Sequence, residues 1–136
     1  MISTAKAIRI ATDCFAGINE RDMNKAVGSF TDDAIFEFIG DGPPDKLLNG
    51  REAVRANFAG WWEASPEITI DVVGVTVDKP LPRQQKEVAL EWDQRATDGE
   101  GTRWRRRGVT VFGVTSDGIV GVRDYLSELY DPQPAS

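Results

Sequence analysis

The chain has 136 residues, a formal net charge of −6, one cysteine and no histidine. That length fits one domain with a genuine core, and the acidic balance argues against a surface built for nucleic acid or anionic membrane. Without histidine there is no Ser-His-Asp or Cys-His nucleophile, no histidine zinc motif and no two-histidine iron triad; the lone Cys14 excludes an intramolecular disulfide and a cysteine zinc site. Those zinc and iron centres are therefore not expected.

The N-terminal stretch carries spread lysine and arginine and no apolar run long enough for a signal peptide or membrane span, which reads as soluble and cytoplasmic. Ser3 or Thr4 caps a first helix in which Ile8, Ala11, Phe15 and Ile18 recur at helical spacing, with residues 19–22 as the break. A short second helix runs from Met23 to about Phe30. Thr31-Asp32-Asp33 reads as a turn, residues 35–38 as a short strand, and residues 40–44 as a mobile Gly/Pro loop. Helical spacing returns over residues 50–64 through Ala53, Val54, Phe58 and Trp61 or Trp62, and one of these tryptophans should line a cavity.

From Glu67 the period becomes two. A first long strand shifts phase after Val72, as a bulge near Gly74 would cause, and residues 79–82 close it. Strands over 85–97 and 102–115 meet at Asp98-Gly99-Glu100-Gly101, and Ser116-Asp117-Gly118 makes the last hairpin. Arg103, Arg105, Arg106 and Arg107 divide between two faces of their strand, a solvated face plus one inward residue. Helices followed by an antiparallel meander predict an α+β domain over residues 1–130, with a pocket between the layers and a disordered tail at 131–136.

Two aspartates carry the chemical interest. In the last strand Val120, Val122, Asp124 and Leu126 share one side, so Asp124 stands in an apolar row where a charge costs roughly several kcal/mol unless paired or neutralised. In the strand over 85–97, Val88, Leu90 and Trp92 oppose Glu91, Asp93 and Arg95. Asp93 is read as facing the interior with Asp124. Val88, Leu90 and Trp92 with Val109 and Val111 then form an outer apolar patch suited to a two-fold homodimer. Arg106 shares parity with Thr110 and Phe112 and faces the pocket.

Three segments carry a resemblance. They are Phe15-Ala16-Gly17-Ile18-Asn19-Glu20-Arg21-Asp22 with Phe30-Thr31-Asp32-Asp33-Ala34, then Asn49-Gly50-Arg51-Glu52-Ala53-Val54, then the closing hairpin that ends in Arg123-Asp124-Tyr125. Together they resemble the cone-shaped NTF2-like superfamily, its SnoaL-like domains, and among them the limonene-1,2-epoxide hydrolase branch. The resemblance implies a cofactor-free acid/base enzyme acting on a small apolar molecule, with Asp124 as base and Asp93 as acid. Glu91 stands where that branch has its bridging arginine, so Arg106, or else Arg95, would take that part; Phe38 and Gly40 stand where it has a water-holding tyrosine and asparagine. Glu91, Arg95, Phe38, Trp61, Trp62, Val122 and Phe112 are the candidate substrate contacts. Epoxide hydration, a SnoaL-like cyclase or ketosteroid-isomerase-like proton transfer, and ligand binding without catalysis all stay open.

Overall fold

The computed structural model describes residues 2–39, 46–78 and 85–126. The expected loop at 40–44, the strand closure at 79–82 and the tail at 131–136 lie outside the described residues. Ser3 caps α1 (Thr4–Glu20) by accepting from the Lys6 amide, and Arg21 ends it in the left-handed region at φ 55°. The buried stripe Ala7, Ala11, Cys14, Phe15 and Ile18 faces the sheet side of the core. Asp22 then caps α2 (Met23–Val27), three residues shorter than expected.

The strands are β1 (Phe30–Ile39), β2 (Lys46–Asn49), β3 (Glu67–Asp78), β4 (Lys86–Thr97), β5 (Arg103–Thr115) and β6 (Gly118–Leu126), with α3 (Arg51–Ala64) between β2 and β3. They form one open, curved mixed sheet in the order β2-β1-β6-β5-β4-β3, in which β1 runs parallel to β6 and every other pair is antiparallel. The expected α+β architecture is thus present, and the bulge falls between Val72 and Gly74 as the phase shift predicted. Thr31-Asp32-Asp33 is not a turn. It belongs to β1, where Arg51 pairs with Asp32 and donates to the Phe30 carbonyl, and the irregularity appears as a register shift against β6. Among the described residues no helix is long and apolar enough to cross a membrane.

Strand β4 corrects the sequence reading. Val88, Leu90 and Trp92 are 0–3% exposed and belong to the core under the helices, while Glu91 is exposed and Asp93 and Arg95 share its face. The expected apolar outer patch therefore loses its β4 members; Val109 and Val111 remain on that face. Burial of the large apolar side chains, at roughly 1.5–3 kcal/mol each, fixes which side of β4 turns inward.

Candidate functional site

Asp124 lies mid-sheet, beside Phe38 of β1 and opposite Thr110 of β5. It is 5% exposed, and the Thr110 hydroxyl donates to its Oδ1 at 2.6 Å. Thr110 Oγ1 in turn accepts from the Trp92 indole Nε1 at 2.8 Å. Burial pushes the Asp124 carboxyl up to about 6, while the Thr110 hydrogen bond and the Arg106 charge oppose that rise. The same burial, with the Asp124 charge nearby, pushes the Cys14 thiol upward and leaves it an unreactive part of the wall.

Asp124 borders a cavity of about 450 Å³ between α1, α3 and the sheet. Its walls are largely apolar and include eight aromatic side chains, with Phe38 edge-on to Trp61 at 6.2 Å and Phe15 edge-on to Phe112 at 5.6 Å. The polar groups are Asp124, Thr110, Gln94 and Arg106, with Lys46, Ser65, Arg105 and Asp98 also on the boundary. Gln94 and Arg106 are cross-strand partners on β4 and β5. A mostly apolar hollow with a small convergent polar set is the usual form of a small-molecule site.

Of the residues expected at the site, Asp124, Arg106, Phe38, Trp61 and Phe112 line the cavity; Asp93, Glu91, Arg95, Trp62 and Val122 do not. Val122 shares the face of Asp124 but is packed into the core, and Trp62 donates its indole N–H to the Ile18 carbonyl, tying α3 to the end of α1. Asp93 is on the opposite face of the sheet from Asp124. There the Arg105 guanidinium donates to both its oxygens, at 3.1 and 2.6 Å, and holds the carboxyl below the usual range. The two carboxylates do not converge. Gln94, not Asp93, occupies the inward position of β4. It was readable from its parity with Trp92, as were Trp104 and Thr110 from theirs with Arg106.

Among the described residues, Asp98 is the other carboxylate on the cavity boundary. It accepts from the Glu100 and Thr102 amides and the Trp104 indole, bonds that favour its anion and lower its pKa. Among the described residues no cluster of three or more Cys, Asp or Glu side chains is arranged to hold a metal ion.

Helices laid over one face of a curved mixed sheet, with the buried Asp124 carboxylate lining an apolar hollow, define an NTF2-like pocket domain. The chain belongs to the SnoaL-like domain family, whose pattern it matches over residues 11–122. No curated protein matches it in sequence. Among solved structures it is similar to an LEH-like epoxide hydrolase from M. tuberculosis, at 18% identity and TM-score 0.74 over 91% of this chain and 84% of that one. It is also similar to RV0760c from Mycobacterium tuberculosis in complex with estradiol-17β-hemisuccinate, at 20% identity and TM-score 0.74 over 90% and 98%. An NTF2-like protein from Burkholderia xenovorans shares 16% identity at TM-score 0.69 over 93% of each chain. Likeness at these identities establishes the fold.

Proposed function

We propose that this domain is an acid/base enzyme that moves a proton on a small, largely apolar carbonyl compound, with Asp124 as the base. The observation that carries this reading is a carboxylate, the one buried among the described residues, pushed up to about 6 at the wall of a mostly apolar cavity. A base near that value is largely ionised at neutral pH yet still basic enough to accept a proton from carbon. Asp124 takes the proton beside the carbonyl, and the C–H electron pair moves to form an enolate. Arg106 and Gln94 are the groups placed to stabilise its oxygen. The proton then returns to another carbon in an isomerisation, or passes to the new alkoxide when the enolate carbon attacks a second carbonyl in a cyclisation. A cytoplasmic setting is part of the same reading, supported by a lone free thiol.

Epoxide hydration is the second reading, supported by the likeness to the M. tuberculosis LEH-like epoxide hydrolase. It needs an acid to protonate the leaving alkoxide, and here Asp93 is on the far face while Asp98 is held as an anion. Turnover of carbonyl and epoxide panels by the wild type, Asp124→Asn and Asp93→Asn separates the two. Asp124→Asn is expected to lose roughly 10²–10⁴ in kcat/KM, and Asp93→Asn to stay within about twofold. Full turnover by Asp124→Asn ends the assignment of the base, and wild-type binding without turnover leaves a ligand-binding domain.

For assembly we propose a second copy on the outer sheet face. Ile35, Leu47 and Tyr125 are 41–46% exposed and, by their cross-strand register, share that face with Val109 and Val111. Sedimentation equilibrium should give a dimer that Tyr125→Glu weakens; a monomer at all concentrations removes the idea.

A further inference from the structure

The two oxygens of Asp124 are not equivalent. Oδ1 accepts the Thr110 hydroxyl at 2.6 Å, and the hydroxyl oxygen accepts the Trp92 indole N–H at 2.8 Å. An indole nitrogen only donates, and a threonine hydroxyl has one proton to give. With Trp92 filling a lone pair of Oγ1, the Thr110 proton goes to Asp124, its one acceptor among the described residues. Accepting from a protonated Oδ1 instead would leave that hydroxyl proton stranded at a site only 2% exposed.

We propose that Trp92 and Thr110 form a directional hydrogen-bond relay that dedicates Oδ1 of Asp124 to the sheet and leaves Oδ2 as the oxygen that exchanges a proton with the guest. Both are positioning residues, and the relay rests on the reading of Asp124 as the base. The proton balance is simple: Oδ2 takes one proton from the guest and returns it, and the Thr110 proton never leaves Thr110.

The geometry is built for this. The three side chains sit on adjacent strands β4, β5 and β6, each 5% exposed or less, so water does not compete for their hydrogen bonds. Trp92 is the cross-strand partner of Gly108, and a Cβ on Gly108 would lie 2.5 Å from the indole Cζ2. The ring occupies the space a side chain there would fill, and so its N–H reaches along β5 to Thr110. Among the described residues, the charged or titratable groups facing Asp124 are Arg106 from β5 and Cys14 from α1. Lys46, Arg105 and Asp98 line the same cavity, whereas the lining groups from β1, α3 and β4 are neutral.

The test is a pH titration of ligand-free protein, following the Asp124 carboxyl by ¹³C NMR and the Trp92 indole N–H by ¹⁵N correlation, the latter identified by its loss in Trp92→Phe. The indole signal should move with the same midpoint as the carboxyl. Thr110→Ser should keep that coupling; Thr110→Val should abolish it and raise the carboxyl midpoint by about one pH unit, a tenfold gain in proton affinity. The acid limb of kcat/KM should follow, shifted in Thr110→Val and unshifted in Thr110→Ser. A wild-type indole signal that stays flat while the carboxyl titrates overturns the relay, and this arm needs no substitution at Thr110 that might unfold the protein. An unchanged midpoint in folded Thr110→Val overturns it too. Because the titration uses no substrate, a failed relay is distinct from a failed base, which shows as turnover surviving in Asp124→Asn.

Discussion

Asp93 and Asp124 are the same side chain on opposite faces of one sheet, and their surroundings drive them in opposite directions. Arg105 stabilises the Asp93 anion, whereas burial disfavours the Asp124 anion. Asp93 therefore supports the fold at neutral pH: its folded pKa is depressed, so its contribution is present above the unfolded value and lost as pH falls through the folded one. Asp93→Asn should lower the urea midpoint slightly at pH 7 with turnover intact, and the difference should vanish in strong acid; loss of turnover without loss of stability would return Asp93 to the chemistry. Asp124 was legible because a lone acid in the row Val120, Val122, Leu126 is conspicuous. The face of Asp93 was misjudged because alternation tells which residues share a side but not which side is interior. Alternation grouped Asp93 with Asp124 toward the interior, and position-by-position likeness to the epoxide hydrolases agreed, against the stronger signal of Val88, Leu90 and Trp92, which bury.

At the scale of elements, the period-two strands and the Gly74 bulge were legible because apolar spacing encodes them locally. Strand β2 was missed: its four residues carry too short a pattern, and it exists by pairing with β1. Thr31-Asp32-Asp33 has turn composition, but contacts from Arg51, twenty residues away, keep it in β1, and local propensity yields to such contacts. The α1–α2 corner is another long-range constraint. A Cβ on Gly17 would lie 2.3 Å from the Ala26 amide nitrogen and 2.7 Å from its Cα, both backbone atoms with little freedom to move. Glycine to alanine within a helix normally gains about 1 kcal/mol. Here overpacking should reverse the sign, and Gly17→Ala should cost about 1–3 kcal/mol, lowering Tm by roughly 5 °C or more. A higher Tm for that variant would mean that α1 and α2 do not meet so closely.

For the whole molecule, the role proposed for Asp124 would link activity and stability with opposite signs. The folded protein holds the Asp124 proton up to about 6, whereas the unfolded chain releases it near 3.8. Below the lower value the residue is neutral in both states and contributes nothing to the balance. Between the two values the folded state binds more protons than the unfolded, so stability falls as pH rises; above the upper value the loss is complete. At about 1.4 kcal/mol per tenfold, the cost at pH 7.5 is roughly 3 kcal/mol as an upper figure. Activity should run the other way, rising through about 6 as the base ionises. Asp93 and Asp98 have depressed values and tilt the total profile in the opposite sense, so the diagnostic quantity is a difference. Asp124→Asn keeps an oxygen to accept from Thr110 but cannot ionise. It should be more stable than the wild type at pH 7.5, and that advantage should shrink toward zero as pH falls to 4 in paired urea titrations. An advantage that instead grew with acidity would show that the fold prefers the Asp124 anion, and a base tuned by burial would then have no physical basis.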